Sequence, residues 1–145
     1  MADLRPEVLD AYGLVPALEL HVRRLREAGA LAVELQSDLD GRLPSLIEVL
    51  VYRLVQEALS NVRKHAFASR VIISLRHDVE AKMLAVAVED DGVGFVPRLQ
   101  PPHPAGHGVG LGSMVERCEG AGGSMEIEST PGKGTRLTFR IPVSG

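Results

Sequence analysis

The chain has 145 residues with 16 lysines and arginines against 19 aspartates and glutamates, a net charge of −3. This length fits one domain with a sizeable core, and neither the charge nor the 3% aromatic content favours nucleic-acid binding. The single Cys118 excludes an intrachain disulfide and a zinc site built on several cysteines. No signal peptide and no stretch of ~20 apolar residues is found, so we expect a cytoplasmic chain without membrane contact.

The hydrophobic pattern predicts elements in the order α-β-α-β-β-loop-α-β-β. The predicted helices cover 14–28, 45–66 and 111–120. The predicted strands cover 31–36, 70–77, 83–88, 125–129 and 135–141. Four prolines exclude regular structure from 96–108. Because the strands come in adjacent pairs, we predict an α+β two-layer sandwich with helices packed on one face of a mixed sheet.

The predicted helix over 45–66 changes character along one face. Leucines recur at i, i+4 spacing from Leu46 to Leu54. The row continues with polar residues, namely Glu57, Asn61, Lys64 and His65. One interpretation is that the helix end leaves the core and faces water. The other is that a carboxylate, an amide and an ammonium line a pocket for phosphate and hydrated Mg²⁺, which takes only one or two protein ligands.

A first glycine-rich stretch, 88–95, follows the apolar strand predicted over 83–88. Asp90 ends that strand region and precedes Gly92 and Gly94. Glycines two apart allow a backbone to approach a flat ligand closely, and the aspartate can accept a hydrogen bond from an exocyclic amine. An ordinary acidic turn is the other interpretation, since Asp-Gly is a common turn pair.

A second stretch, 106–112, places glycine at every second position and runs into the predicted helix over 111–120. Successive backbone N–H groups before a helix form an anion site, whereas a flexible linker is the alternative. The stretch satisfies neither GxGxxG nor the GxxxxGK[ST] pattern of a P-loop.

Four motifs in order resemble the ATP-binding catalytic domain of bacterial two-component sensor histidine kinases, the GHKL family that includes gyrase-, Hsp90- and MutL-type ATPases. They are QEALSNVRKHA at 56–66, EDDGVGF at 89–95, GHGVGLGSMVER at 106–117 and TPGKGTRLTFRIP at 130–142. In addition, LRPEVLDAYGLVPALEL at 4–20 resembles the junction with the histidine-bearing hairpin. That junction is typical of the subfamily paired with response regulators that carry LuxR/NarL-type DNA-binding domains.

The resemblance implies the Bergerat ATP-binding fold and a role for each matching residue. Asp90 would bind the adenine amino group, with Gly92 and Gly94 shaping the pocket and Thr135 supporting it. Asn61 would coordinate Mg²⁺, and Glu57 would position or activate a water or the incoming nucleophile. The residues implied at the phosphates are Lys64, His65, His107, Gly108, Gly110 and Gly112. For His107, a solvated loop position is the alternative, and residues 96–107 would be the ATP lid.

The implied activity is transfer of the γ-phosphoryl group from Mg-ATP to a histidine on a separate dimerisation domain, and then to a response regulator. The string that carries this acceptor histidine in the subfamily is absent from the chain, so we expect no autophosphorylation by the chain alone. We expect residues 1–29 to be the end of the linker plus a first helix, and 30–145 to be the catalytic domain. The hairpin carries dimerisation in the subfamily, so a monomer is expected.

Two alternatives remain at this point. The first is a serine kinase of the anti-sigma-factor type on the same fold. Residues 4–20 argue against it, because that segment resembles a junction found in histidine kinases. The second is a regulatory module that binds nucleotide without transferring phosphate. The presence of Glu57, Asn61 and Asp90 speaks against degeneration of the site.

Overall fold

The computed structural model describes residues 7–29, 31–94 and 111–143, apart from the side chains of His65 and Ala66. The α-helices of this part of the chain are α1 (Glu7–Tyr12), α2 (Leu14–Glu27), α3 (Ser45–Asn61) and α4 (Leu111–Gly120). A π-helical turn, Val62–Ala66, follows α3 directly. The strands are β1 (Ala32–Ser37), β2 (Arg70–Asp78), β3 (Met83–Asp90), β4 (Ser124–Ser129) and β5 (Thr135–Pro142).

The five strands form one mixed sheet in the order β1-β2-β3-β5-β4. β1 pairs with β2 in parallel, and the remaining neighbours pair antiparallel. The predicted α+β architecture with a mixed sheet is therefore confirmed. The register sets Asp90 opposite both Val71 and Thr135, so the end of β3 and the beginnings of β2 and β5 meet at one end of the sheet.

The core lies between the helices and one face of the sheet. Alternate residues of the central strands point into it, as the period-two pattern of a half-buried strand requires. The fully buried members from these strands are Val71, Ile73, Leu75, Leu84, Val86, Phe139 and Ile141. Met114 and Cys118 are buried on one face of α4, which agrees with the i, i+4 spacing of core positions. Burial raises the pKa of the Cys118 thiol to about 11.

The predicted elements are recovered with shifts at their ends and two differences. The sequence pattern gave no helix over 7–12, whereas the structure has α1 there, with Leu9 fully buried. The predicted helix over 45–66 ends as an α-helix at Asn61, and its last five residues form the π-helical turn. No Gly or Pro marks this change in the sequence, so the hydrophobic period predicted one continuous helix.

An ion pair fixes α1 to the beginning of α3. Glu48 is 1% exposed, and its carboxylate accepts hydrogen bonds from Arg42 Nε (3.0 Å) and Nη2 (2.9 Å) and from the Leu43 N–H (3.2 Å). The same guanidinium donates to the backbone carbonyls of Leu9 and Asp10 in α1. Both carboxylate oxygens of the buried Glu48 thus have hydrogen-bond partners, as a buried charge requires.

None of the helices in the described residues combines the length and the hydropathy required for a membrane span.

Candidate functional site

Asp90 is the last residue of β3 and is 8% exposed. Its Oδ1 accepts a hydrogen bond from the Gly92 N–H at 2.8 Å, which shapes the turn that follows the strand. Burial raises the pKa of the Asp90 carboxyl above its usual value, while the backbone N–H groups of Gly92 and Thr135 partly oppose the rise and the neighbouring Asp91 adds to it. A buried carboxylate with a perturbed pKa at a strand end is a marker of a binding site.

The turn after β3 packs directly on the hairpin between β4 and β5. The Gly132 N–H donates to the Val93 carbonyl at 2.6 Å. A Cβ on Gly94 would overlap the Thr130 carbonyl oxygen, and a Cβ on Gly134 would overlap the carbonyl oxygen of Asp90. Both glycines also have positive φ, of 66° and 87°, so only glycine fits these positions without strain.

Thr135 lies in the same cluster. It is the register partner of Asp90 in β3 and of Ser129 in β4. Its Oγ1 is 2.8 Å from Ser129 Oγ, and Ser129 Oγ also donates to the Gly134 carbonyl at 3.1 Å. The structure therefore brings Asp90, Gly92, Gly94 and Thr135 together at one end of the sheet.

Asp91, which the sequence reasoning missed, joins this turn to the segment after α3. Its Oδ1 accepts hydrogen bonds from the backbone N–H groups of Ser69 (2.8 Å) and Arg70 (2.9 Å), and its Oδ2 accepts one from Ser69 Oγ (2.8 Å). The Arg70 N–H and then the Ser69 hydroxyl hold the pKa of Asp91 below its usual value. The carboxylate thus ties the beginning of β2, which follows the π-helical turn, to the end of β3.

Glu57 and Asn61 lie one turn apart on the last part of α3, at the i, i+4 spacing that places side chains on one face. Nδ2 of Asn61 is buried and has no hydrogen-bond partner within the described residues. A buried amide N–H without a hydrogen-bond partner costs about 1–3 kcal/mol. The side-chain oxygen and nitrogen of an asparagine are distinguished only by their hydrogen-bond partners. This end of α3 is therefore partly enclosed, whereas Lys64 in the π-helical turn is exposed.

Arg117 of α4, also missed by the sequence reasoning, pairs with Glu57. Its Nη1 is 3.2 Å from Glu57 Oε1, and the Glu57 side chain is 26% exposed. The two residues are 60 positions apart in the chain, so only the fold brings them together. Hydrophobic spacing places Arg117 on the helix over 111–120, but gives no sign of its partner.

Several predicted site residues are not placed by these contacts. His107, Gly108 and Gly110, together with the predicted lid over 96–107, lie outside the described residues. Gly112 is exposed in the first turn of α4. His65 is described only as part of the π-helical turn.

Two surface depressions lie outside the group of predicted site residues, although Ser69 and Arg70, the partners of Asp91, line the larger one. One of about 700 Å³ is lined by the end of α2 and the beginnings of β1 and β2, and one of about 470 Å³ lies near Asp38 and His77. Neither contains a predicted site residue. Among the described residues no group of three or more His, Cys, Asp or Glu is arranged to hold a metal ion.

A family model and a curated relative both resemble the chain, and both descriptions include histidine kinases. Residues 47–145 match the family model described as histidine kinase-, DNA gyrase B-, and HSP90-like ATPase. An uncharacterized sensor-like histidine kinase of Chloroflexus aurantiacus is 39% identical over 97% of the chain. The chain spans 24% of that relative.

Solved structures of histidine kinases share the fold. The blue-light activated histidine kinase of Erythrobacter litoralis EL346 aligns with 88% of the chain and 41% of its own, with a TM-score of 0.67 and 28% identity. The histidine kinase domain of the same protein aligns with 87% of the chain and 61% of its own length, with a TM-score of 0.62 and 27% sequence identity. The histidine kinase AdeS of Acinetobacter baumannii is similar in fold alone. It aligns with 89% of the chain and 62% of its own length, with a TM-score of 0.63 and 18% sequence identity.

Proposed function

Because the chain belongs to the histidine kinase-, DNA gyrase B-, and HSP90-like ATPase family, we propose that it is the catalytic domain of a two-component sensor kinase. In this proposal it binds Mg-ATP and transfers the γ-phosphoryl group to a histidine on a separate dimerisation domain. The observation that carries the proposal is the buried Asp90 carboxylate at the end of β3, beside a turn in which only glycine fits at Gly94.

Asp90 recognises the adenine base in this proposal. One carboxylate oxygen is held by the Gly92 N–H, and the carboxylate accepts a hydrogen bond from the exocyclic amine of adenine. Because Gly94 lacks the Cβ that would overlap the Thr130 carbonyl oxygen, the turn after Asp90 lies directly against the β4–β5 hairpin, and the flat base is proposed to lie beside this turn. Thr135, the register partner of Asp90, supports the same side of the site.

Asn61 is the proposed magnesium ligand. The buried Nδ2, which has no partner among the described residues, fits this role, since turning the amide presents its oxygen at the same enclosed position. When bound, the ion would supply positive charge that neutralises the phosphates of ATP. Lys64 and His65 in the π-helical turn, and His107, Gly108, Gly110 and Gly112 in the second glycine-rich stretch, are proposed phosphate contacts.

Glu57 positions the incoming nucleophile. A ring nitrogen of the acceptor histidine forms a bond to the γ-phosphorus as the bond between that phosphorus and the bridging oxygen breaks, and ADP leaves with the electron pair. Such a reaction depends on positioning and charge neutralisation more than on covalent chemistry by the protein.

The partners in this proposal follow from the resemblance of residues 4–20 to the junction with a histidine-bearing hairpin. We take residues 1–29 as the end of that linker with the first helix, and the response regulator as one with a LuxR/NarL-type output domain. The chain would act as a monomer in the cytoplasm, whether or not its parent kinase is anchored in a membrane.

Mixing the chain with a separately prepared histidine-bearing hairpin of its parent kinase and ATP labelled at the γ-phosphate tests the proposal. The expected result is a label on the hairpin that is stable in base and labile in acid, as phosphohistidine is. Nucleotide binding without transfer would contradict the kinase function. An acid-stable label on a serine would identify the serine kinase instead.

A further inference from the structure

The contact between Glu57 and Arg117 joins two helices at the proposed site. Glu57 lies on α3, one turn before Asn61, and Arg117 lies on α4, the helix that follows the second glycine-rich stretch. Nη1 of Arg117 approaches Oε1 of Glu57 to 3.2 Å. A single contact of this kind holds one carboxylate oxygen and restricts the rotamers of the glutamate.

Among the described residues, the second carboxylate oxygen of Glu57, Oε2, has no hydrogen-bond or ion-pair partner. Within residues 7–29, 31–94 and 111–143, the described contacts of Glu57 are confined to Arg117. The Arg117 side chain is 45% exposed, so the pair contributes little to the stability of the fold. The contact therefore matters mainly because it holds the Glu57 carboxylate in one orientation, and that orientation bears on the chemistry.

We propose that Arg117 is a positioning residue for phosphoryl transfer, which holds Glu57 by Oε1 so that Oε2 is presented to the incoming histidine. The inference rests on the proposed kinase function. Arginine suits the role because its guanidinium is always charged and its N–H groups have a fixed geometry. A loosely held catalytic carboxylate loses the orientation on which transfer depends.

The first experiment separates nucleotide binding from transfer. In Arg117→Ala we expect the affinity for Mg-ADP to stay within about threefold of wild type, because Arg117 acts through Glu57. The rate of label transfer to the hairpin at saturating ATP should fall by at least about tenfold. Arg117→Lys should recover part of the rate, since an ammonium pairs as a point charge without the fork geometry.

A double mutant tests whether Arg117 acts through Glu57. Starting from Glu57→Gln, the added Arg117→Ala change should lower the rate no further, because residues that act as a unit are not additive. The matched control is Arg23→Ala, which removes an exposed arginine from α2 and should transfer at the wild-type rate. Melting curves verify that each variant is folded.

Three results would overturn the inference: transfer by Arg117→Ala at the wild-type rate, loss of Mg-ADP affinity in step with the rate, or full additivity with Glu57→Gln. If the wild-type chain binds nucleotide but does not label the hairpin, the proposed kinase function fails and the role of Arg117 fails with it.

Discussion

The Asp90 carboxylate is buried at the end of β3, and this burial raises its pKa. An aspartate with a raised pKa binds its proton more tightly in the folded state than in the unfolded chain. The folding free energy therefore becomes less favourable as the pH rises from the usual carboxyl value through the raised one. The ionised form of Asp90 therefore weakens the fold relative to its protonated form, and the role proposed for this carboxylate is binding rather than stability.

Asp90→Asn should separate these two effects. We expect Mg-ADP affinity to fall by at least about tenfold, or about 1.4 kcal/mol, because the charged acceptor for the adenine amine is lost. At pH 7 the melting temperature should be equal or higher, since the amide carries no buried charge and its oxygen still accepts from Gly92. Calorimetry and thermal melts measure the two quantities.

The control for this substitution is Glu89→Gln, which makes the same chemical change at the exposed neighbouring position. It should leave both affinity and melting temperature unchanged. Unchanged affinity in Asp90→Asn would show that Asp90 is not in the nucleotide site.

Individual residues differed in how far the sequence revealed them. Asp90 and Gly94 could be proposed as site residues because the motif at 89–95, which carries the family resemblance, is a local feature of the chain. Asp91 and Arg117 were missed because their partners, Ser69 and Glu57, are 22 and 60 positions away. A charged residue on an exposed position has no local sign of a distant partner.

At the scale of elements, the turn after β3 and the β4–β5 hairpin form one unit. Gly134→Ala should destabilise the chain by about 3 kcal/mol, because strain at positive φ adds to overlap with the Asp90 carbonyl. Gly132→Ala is the matched control, since Gly132 has φ of 80° but open space where an added Cβ would lie. It should cost only about 1 kcal/mol. Urea unfolding measures both, and equal losses would contradict the close approach of the two turns.

The sequence predicted the α-helical part of α3 but not the change of helix type after Asn61. Its polar second half was predicted from periodicity, and the structure places Glu57 and Asn61 on one face as that pattern requires. The π-helical turn after Asn61 was not predicted, because an added residue per turn leaves no mark in an apolar pattern without Gly or Pro.

At the scale of the molecule, the Arg42–Glu48 pair fixes α1 to the rest of the domain. Glu48→Gln should lower the free energy of unfolding by about 1–3 kcal/mol, because the charge-assisted bonds from Arg42 are lost at a buried position. Hydrogen exchange in α1 should become faster. Glu19→Gln, at an exposed position of α2, is the control and should leave both unchanged. Equal exchange in α1 of Glu48→Gln and wild type would contradict the role of the pair.

The whole-molecule topology was only partly predictable. Adjacent strand pairs predicted a mixed sheet, but the position of β5 between β3 and β4 depends on pairing over long separations that local patterns do not encode. The same pairing sets Thr135 opposite Asp90, so the composition of the site depends on topology as well as on its motifs.

In the proposed function, nucleotide binds at the end of the sheet around Asp90 and Asn61. Titrating the isotope-labelled chain with Mg-ADP and following amide NMR signals tests it directly. The predicted result is shifts of the backbone amides of Gly92, Gly94 and Thr135 and of the Asn61 side-chain amide, with Met83 at the other end of β3 unchanged. Absence of these shifts, or shifts confined to the depression near Asp38 and His77, would contradict it.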